Sequence, residues 1–521
     1  MVSAPRPDGF RAGPVTMNGM DPENIENRGR LLLAAAVVGA ACWALLAATE
    51  PGMPIVWDEG EYLLRAEAIT TWLQSNEDPT NGDSTDLDRQ AALPFTTVNE
   101  GHPAGSGLLI ALGDATSWFP AHPLSLARRG PIALFSLAAA AMFYRLARDR
   151  SPTVACAATL SLLCIPRMFA HAHFATLDGP LTACWILAWA TFAPALRSRA
   201  AAVCWGMALG LAFSIKFTGW FALIPFLGWL ALHGDRRAVW AFAIGLPVSL
   251  LTFTALNPPL WFDPITGLWT HFELNLTRGS RPEHNVTGFF LGRMYDLHHP
   301  LPWYNSILWT AITAPLGILI LGGIGLGAAL WPRASTDDQA ASETSWRWRR
   351  FLPGSDETLL LGHWAILLVV RALPGAPPHD GIRLFLPSFA FLAILAGIGA
   401  DVLQRRIAGD AEGSRWRKAA AVAAWIVLVG GGAISAWRFF PQELSHYNLL
   451  AGGQRGAVAL GMEPTYWWDG LDRETLDWLQ ANTEPDRKIG FSACSPQNLR
   501  LLRRWGDLTR GTLPEDPGHS Q

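Results

Sequence analysis

Long apolar runs alternate with polar segments along most of the chain. Each run of about 20 residues matches a helix that crosses a bilayer, where only structures that satisfy their own backbone hydrogen bonds are stable. The pattern predicts eleven spans, at about 31–50, 126–147, 152–168, 179–196, 200–217, 218–233, 238–257, 305–331, 359–373, 383–403 and 419–439. The predicted fold class is an all-α polytopic membrane protein.

The shorter apolar segment 106–120 decides the orientation of these spans. If it is a helix lying in the membrane interface, every loop on one side is basic, as expected of a cytoplasmic face. If it were a span, all these basic loops would lie outside. The basic loops contain Arg145/Arg148/Arg150, Arg197/Arg199, Arg236/Arg237, residues 346–350 and residues 405–418. We therefore predict an interfacial helix at 106–120 and an outer face that gathers the loops 51–125 and 258–304, two short turns and the tail after 440.

Composition supports this class of protein. Hydrophobic residues make up 50% of the chain and charged residues 16%, and the 25 tryptophans suit interfacial belts. The net charge of −3 gives no indication of nucleic-acid binding. The predicted domains are a disordered cytoplasmic leader at 1–29, a transmembrane domain at 30–440 and an extracytoplasmic tail at 441–521. The tail is expected to be a small α/β unit, with helices at 471–481 and 496–505 and a strand at 488–493.

Three carboxylates leave the first span together, in Asp58-Glu59-Gly60-Glu61. A carboxylate at the bilayer edge keeps its charge while it faces a lipid-borne substrate, which a general base acting on such a substrate requires. Asp58 followed by Glu61 also fits a capping box for the amphipathic helix that runs from Tyr62. The two roles are compatible, and the local pattern leaves both open.

A second cluster lies in a predicted turn between two spans and contains His171, His173 and Asp178. The two histidines suggest metal ligation, although no third ligand is evident. Asp178 also fits the cap of a helix that begins Gly179-Pro180, because proline suits the first turn of a helix. Metal ligation, helix capping and substrate contact all remain alternatives for this cluster.

Cations form a third set, at the outer ends of the predicted spans. For any one of them, a long side chain reaching the lipid head groups is sufficient explanation. The outer ends of membrane spans should nevertheless be poor in cations, so the presence of Lys216 and Arg383 there needs a further explanation. Together they suit a lipid-linked phosphate, whose charge must be met at the membrane edge. The set comprises His102, Arg128, Arg129, Lys216 and Arg383.

In this order, the motifs resemble those of the GT-C membrane glycosyltransferases, closest to the protein O-mannosyltransferase and lipid A aminoarabinose transferase group. The matching elements are Asp58-Glu59 with Tyr62 for the family's D-E-x-x-Y, Gly101-His102-Pro103 for its H-P-P-L, Arg129-Gly130-Pro131 for its R-x-P, Pro166 to Asp178 for its second acidic loop, Lys216 for its span-end lysine, and Arg383 with Pro387 for its R-x-x-x-P. Many members have Arg where His173 stands. Residues 447–468 look like a signature of bacterial members, to which we assign no chemistry.

The resemblance implies a GT-C fold and an inverting transfer of a sugar from a polyprenyl-phosphate donor to a hydroxyl of a protein, lipid or glycan. Asp58 would be the base, and Asp178 would position the acceptor or a second charge. The implied substrate contacts are Glu59, Tyr62, His102, Arg129, His171, His173, Lys216 and Arg383. The implied location is the bacterial cytoplasmic membrane, among membrane lipids, with the site on the periplasmic or extracellular side.

Other functions remain as alternatives. A transporter or lipid flippase would place ionisable groups near the membrane midplane in two related halves, and neither pattern is evident. A non-catalytic scaffold or sensor would bind no donor lipid, and an oligosaccharyltransferase-like enzyme would need a metal site and a large soluble domain. No P-loop or dinucleotide fingerprint is present. No cofactor is therefore assigned, and a divalent metal ion is left open.

Overall fold

The structure is a computed structural model of the chain. It describes residues 22–75, 93, 101–119, 121–277, 286–331, 354–409, 414–467, 470–484, 486–491 and 494–509. Several features of the sequence therefore lie outside the described residues, namely the leader up to residue 21, the polar part of the first loop, Glu100, residues 278–285, the basic loop 346–350, Trp468 and the last twelve residues.

The described chain is mostly helical, and its first half contains ten α-helices. These are α1 (Pro22–Thr49), α2 (Glu59–Ser75), α3 (Gly105–Asp114), α4 (Pro123–Asp149), α5 (Pro152–Leu163), α6 (Pro166–His173), α7 (Asp178–Ala195), α8 (Arg199–Ile215), α9 (Leu223–His233) and α10 (Arg236–Ala255). Helix α1 begins inside the predicted leader, and α3 coincides with the predicted interfacial segment.

The second half continues with nine helices and one short hairpin. The helices are α11 (Pro264–Leu276), α12 (Asn305–Thr313), α13 (Leu316–Leu330), α14 (Ser355–Ala372), α15 (Leu386–Ala408), α16 (Arg415–Phe439), α17 (Gly453–Ala459), α18 (Arg473–Asn482) and α19 (Pro496–Trp505). Strands β1 (Gly288–Phe290) and β2 (Arg293–Tyr295) pair antiparallel, with Phe289 opposite Met294.

The helices fit a multi-pass membrane protein. Within the described part of the chain, five helices are long and apolar enough to cross a membrane, and the bent pair α5 and α6 would make a sixth span. Other helices are shorter but apolar, among them Arg199–Ile215, Phe217–His233 and Leu316–Leu330. Each of the eleven predicted spans coincides with one helix or with two consecutive helices, while the number of spans that cross the bilayer stays a prediction.

Two predicted spans are broken by proline. Helices α5 and α6 meet at an angle of 74°, with Pro166 at the first position of α6. Helix α12 ends before Ala314, which is extended, and Pro315 precedes α13. Proline lacks the N–H that would continue a helix and disfavours a helical conformation in the residue before it. The break at Pro166 turns α6 across the end of the bundle, where it leads directly into Asp178.

Close contacts between small residues hold the centre of the bundle together. A Cβ atom on Gly325 of α13 would lie 1.9 Å from the carbonyl oxygen of Leu395, and one on Gly399 of α15 would lie 1.9 Å from that of Leu321. The two backbones thus approach each other reciprocally, as in other helix pairs packed through small residues in membranes. Helix α15 lies deep in the bundle as a result: 83% of the residues in its most apolar stretch are buried.

The two ends of the bundle differ in charge. At the basic end, the last turn of α4 meets the first turn of α14, where Arg150 pairs with Glu357 at 2.7 Å and Arg145 contacts Asp356. At the other end, which we call the site end, the loop after α1, the start of α4, the helix α6 and the start of α15 come together. The basic residues at the end of α4 and the candidate site residues are therefore at opposite ends of the described bundle.

The tail packs on the site end. Helix α19 lies against α2, and the extended segment after α17 reaches the residues before α2. The predicted helices at 471–481 and 496–505 are present as α18 and α19. The predicted strand at 488–493 is reduced, in its described part, to a single bridge residue, Ile489.

Candidate active site

Two carboxylate–cation pairs occupy the site end. The Oδ2 atom of Asp58 lies 2.7 Å from Nη1 of Arg383, and the Oδ1 atom of Asp178 lies 2.7 Å from Nζ of Lys216. Asp58 precedes α2, Asp178 begins α7, Lys216 follows α8, and Arg383 lies just before α15. Four separate segments therefore contribute one charged side chain each.

Tyr62 lies between the two pairs. Its side chain is buried, and burial raises the pKa of Tyr62 well above its usual range, to which the negative charges of Asp58 and Asp178 add. Both carboxylates thus act on the same phenol, which stays protonated at neutral pH and so keeps a hydrogen that it can donate. The ring of His102 meets that of Tyr62 edge-on, with centroids 6.4 Å apart. Together these residues form what we call the candidate site: Asp58, Tyr62, His102, Asp178, Lys216 and Arg383.

The two carboxylates differ in accessibility. The Asp58 side chain is 29% exposed, whereas that of Asp178 is 2% exposed. A group that exchanges a proton with an incoming substrate must be reachable, so geometry favours Asp58 for that role. Asp178 holds the Lys216 ammonium, which is itself mostly buried, and its expected role toward the acceptor stays a prediction.

Glu59 has a different environment from its neighbour Asp58. Its carboxylate is fully buried and takes a bidentate contact from Arg128, at 2.8 Å to Nε and 2.7 Å to Nη2, and it also accepts the Ala175 N–H at 2.8 Å. Arg128 further contacts Glu50 and two backbone carbonyls. Both oxygens of Glu59 are therefore occupied inside the protein, and its expected contact with substrate stays a prediction.

Comparisons with known proteins bear on the fold and on a family match to part of the chain. Residues 121–262 match the family model described as dolichyl-phosphate-mannose-protein mannosyltransferase. The structure is similar to that of ArnT from Cupriavidus metallidurans, with a TM-score of 0.50 and 15% identity over 92% of this chain and 85% of that chain. It is also similar to the archaeal oligosaccharyltransferase AglB from Archaeoglobus fulgidus, with a TM-score of 0.50 and 13% identity over 96% of this chain and 61% of that one.

This is a GT-C fold of the protein-mannosyltransferase and ArnT type. The matched family model is that of a mannosyltransferase, and AglB is an oligosaccharyltransferase. No curated protein matches the chain by sequence. The matched family range contains Asp178 and Lys216 but neither Asp58 nor Arg383, so the likeness of those two residues to family motifs rests on the sequence resemblance alone.

Arg129, the arginine that the R-x-P resemblance singled out in this GT-C chain, lies away from the candidate site. Its guanidinium donates to the Thr116 carbonyl at 2.8 Å and to the Phe119 carbonyl at 2.9 Å. It therefore fixes the turn after α3. The preceding residue, Arg128, points into the protein instead, because neighbours on a helix differ in direction by about 100°.

The two histidines of α6 have separate partners. His171 Nε2 lies 2.9 Å from the Tyr466 hydroxyl, whereas His173 Nε2 lies 2.8 Å from Thr49 Oγ1 and its Nδ1 lies 2.7 Å from the Phe169 carbonyl. His173 thus joins α6 to α1, and only His171 belongs to the surroundings of the candidate site. Within the described ranges, no three His, Cys, Asp or Glu side chains are arranged to bind a metal ion.

Neither carboxylate acts as the helix cap that the sequence allowed. Asp58 faces Arg383, and the Gly60 N–H donates at 2.9 Å to Asn498 Oδ1. Helix α7 begins after Leu177 without a side-chain cap, and Asp178 faces Lys216. The capping hypothesis is therefore wrong for both, because cations from distant segments take the carboxylates.

Three tail residues complete the site, and sequence reasoning assigned none of them. The Trp467 ring lies under the Arg383 guanidinium at 4.7 Å, and the Trp467 carbonyl accepts the Trp57 N–H at 3.1 Å. Tyr466 holds His171, and Asn498 holds the start of α2. The signature 447–468 contained Tyr466 and Trp467, but nothing in its pattern indicated which distant residues they would contact.

The turn that carries His102 is anchored by two asparagines, one in the loop after α10 and one in α11. The Ala104 N–H donates to Asn257 Oδ1 at 2.7 Å, and Asn275 Nδ2 donates to the Gly101 carbonyl at 2.9 Å. The Asn275 amide nitrogen also donates to the His271 carbonyl at 2.9 Å, so both of its hydrogens are used inside the protein.

Proposed function

We propose that this protein moves a sugar from a polyprenyl-phosphate donor to an acceptor hydroxyl at the extracytoplasmic face of the membrane. The observation that carries the proposal is the convergence of two carboxylate–cation pairs around one buried phenol, at the end of the bundle opposite the basic loops. The GT-C fold and the matched mannosyltransferase family support a glycosyl transfer. AglB, one similar structure, was solved with a dolichol-phosphate and an inhibitory peptide.

In this proposal Asp58 is the general base. Its carboxylate takes the proton of the acceptor hydroxyl as that oxygen forms a bond to the anomeric carbon, and the bond from this carbon to the phosphate oxygen breaks. The electron pair leaves with the lipid phosphate, and attack from the opposite side inverts the anomeric centre. Asp58 is the accessible carboxylate of the two, which suits contact with an acceptor.

The cations would stabilise the negative charge of the leaving phosphate. Lys216 and Arg383 both lie at the ends of apolar helices, where a phosphate attached to a membrane-embedded lipid would arrive. An incoming phosphate would compete with Asp58 for Arg383 and so free the carboxylate oxygens for the acceptor. Asp178 would keep Lys216 in place as a positioning residue, and His102 would contribute a further donor.

The remaining candidates take supporting roles. Glu59 would act through Arg128, whose contacts fix the residues around Asp58, and His171 would act through Tyr466. Arg129 and His173 would stabilise the turn after α3 and the contact between α6 and α1. The proposed donor class includes hexosyl and pentosyl lipids, and the acceptor is a protein, lipid or glycan hydroxyl. A bacterial cytoplasmic membrane is the proposed location.

Replacement of Asp58 by Asn tests the proposal. Wild-type protein in liposomes should release polyprenyl phosphate from one member of a panel of synthetic polyprenyl-phosphate hexoses and pentoses, in the presence of a labelled cell-envelope extract as acceptor. Asp58→Asn keeps the shape but removes the base, and we expect the rate to fall at least about 100-fold. Mass spectrometry of the lipid products measures the loss.

Glu61→Gln is the matched control, since Glu61 lies in the same turn and is partly exposed. Its activity should equal that of the wild type. Equal rates for Asp58→Asn and the wild type would eliminate Asp58 as the base. If the wild-type protein released no lipid phosphate from any donor of the panel, the proposed reaction itself would be wrong.

A further inference from the structure

The last described helix of the tail presses on the start of α2, immediately beside Asp58. Asn498 of α19 is 2% exposed and makes two hydrogen bonds there. Its Nδ2 donates to the Val56 carbonyl at 2.9 Å, and its Oδ1 accepts the Gly60 N–H at 2.9 Å. The two contacts lie on either side of Asp58 in the chain, so one side chain spans the backbone that presents the carboxylate.

These bonds determine the orientation of the amide group. If Oδ1 and Nδ2 were exchanged, the amino group would face the Gly60 N–H and the amide oxygen would face the Val56 carbonyl, which is unfavourable at both ends. The Gly60 N–H belongs to the first turn of α2, where backbone donors have no partner within the helix. Asn498 therefore supplies a helix cap from a residue far away in the sequence, in place of the cap expected from Asp58.

The fit at Gly60 supports a specific contact. A Cβ atom at this position would lie 2.2 Å from Asn498 Oδ1 and 2.9 Å from the Asn498 backbone nitrogen. Only glycine leaves room for α19 to come this close without displacement of its backbone. The Asp58-Glu59-Gly60 segment is thus shaped to receive Asn498.

A second part of the tail holds the same segment. The Trp57 N–H donates to the Trp467 carbonyl at 3.1 Å, and the ring of Trp467 lies against Arg383, the partner of Asp58. The backbone from Val56 to Gly60 is therefore attached to the tail at three points. By contrast, the nearby pair Arg504 and Glu67 joins the same two helices through exposed side chains.

We propose that Asn498 is a positioning residue for Asp58, so that the tail sets the catalytic geometry of the transmembrane domain. This inference rests on the proposed function, in which Asp58 is the base. Loss of the two bonds leaves Lys216 and Arg383 unchanged, and with them the contacts for the lipid phosphate. The base, however, is no longer held in one place, and a displacement of about 1 Å can cost about 100-fold in rate.

The test compares Asn498→Ala, Asn498→Asp and the control Arg504→Ala in full-length protein. Both Asn498 variants should lower kcat about 10- to 100-fold, with the KM for the lipid donor unchanged, because only the positioning of the base is lost. Asn498→Asp keeps the volume of the side chain but places an acceptor against the Val56 carbonyl. Arg504→Ala, which removes only an exposed contact between the same helices, should retain both constants.

Hydrogen–deuterium exchange provides a readout that does not depend on activity. Peptides that cover residues 56–60 should lose protection in the Asn498 variants, while peptides from α19 keep it. If wild-type protein is inactive toward every donor, the proposed function fails and the exchange result still decides whether Asn498 holds this segment. Unchanged protection at 56–60, unchanged kcat in an active protein, or an equal loss with Arg504→Ala would overturn the inference.

Discussion

Among single residues, the carboxyl groups near the site differ in whether a cation faces them directly. Asp58 and Asp178 each have a cationic partner at 2.7 Å. Glu463 has a different environment. Burial raises the pKa of Glu463 to about 8, the negative charge of Asp380 raises it further, and the positive charge of Arg167 lowers it. Burial likewise raises the pKa of Asp380, with a further rise from Asp58 and opposition from Arg383 and Arg371. Glu463 is therefore a neutral acid in the folded protein at neutral pH.

This difference predicts a pH-dependent stability. In the unfolded chain Glu463 would ionise near its ordinary pKa of 4.5, whereas the folded protein keeps its proton up to about pH 8. The folded state binds more protons between these values, so the stability that Glu463 contributes is complete below the lower value and is lost as pH rises toward the upper one. Glu463→Gln resembles the neutral acid and should remove this dependence. Thermal unfolding in detergent micelles across that pH range measures it.

The variant and the wild type should thus have similar stability at the acidic end, and the variant should be the more stable at the alkaline end. Glu474→Gln, an exposed change in the first turn of α18, should follow the wild-type profile throughout. Parallel profiles for Glu463→Gln and the wild type would mean that Glu463 is ionised in the folded protein.

The sequence predicted which residues belong to the site better than it predicted which partners they contact. The sequence alone selected Asp58, Asp178, Lys216 and Arg383, because charged residues at the outer ends of apolar spans need a reason to be there. It selected Arg129 over Arg128 because of the three-residue pattern R-x-P, whereas Arg128 is the one that is buried in the structure. Local sequence does not tell which of two adjacent helical residues faces the core when both are arginine.

Among helices and loops, the tail signature 447–453 has a structural explanation. Asn448 Nδ2 donates to the carbonyls of Ala311 and Ala314, both at 2.6 Å, and its backbone N–H donates to the Ile312 carbonyl at 2.8 Å. These carbonyls lie at the end of α12, where the break before Pro315 leaves acceptors without helical donors. One asparagine of the tail thus caps a broken helix of the bundle.

Asn448→Ala should therefore destabilise the protein. It removes two donors from buried carbonyls, and each unsatisfied buried acceptor costs roughly 1–3 kcal/mol. A lower unfolding midpoint in detergent is the expected result. Leu449→Ala is the control from the same motif: Leu449 is 81% exposed, and surface changes of this kind are usually neutral within about 0.5 kcal/mol. An unfolding midpoint for Asn448→Ala equal to that of the control would contradict the capping role.

The helices themselves were predicted well because long apolar periodic runs have few alternatives. The segments 152–168 and 305–331 were nevertheless predicted as continuous spans, and both are broken at a proline. A proline inside a span can kink a helix or end it, and the outcome depends on what satisfies the freed backbone groups. For α12 that partner is Asn448, which lies more than a hundred positions later in the chain, beyond the reach of a local pattern.

For the whole molecule, the arrangement of charge relates the site to the membrane. The basic clusters at the ends of α4 and α15 and at the start of α16 lie opposite the candidate site. Positive charge favours the cytoplasmic side, so the site end and the tail should face outward. The same orientation would let a lipid-linked donor present its phosphate to Lys216 and Arg383 from the outer leaflet.

Cysteine labelling tests this orientation directly. Glu484→Cys places a thiol on the tail and Arg406→Cys places one at the basic end, both at exposed positions, in a chain that also carries Cys494→Ser. A membrane-impermeant maleimide added to intact cells should label residue 484 at once and residue 406 only after the membrane is permeabilised. The parent chain with Cys494→Ser gives the background from the buried and lipid-facing cysteines. Labelling of residue 406 alone in intact cells would invert the topology and place Asp58 on the cytoplasmic side, where an extracytoplasmic transfer could not occur.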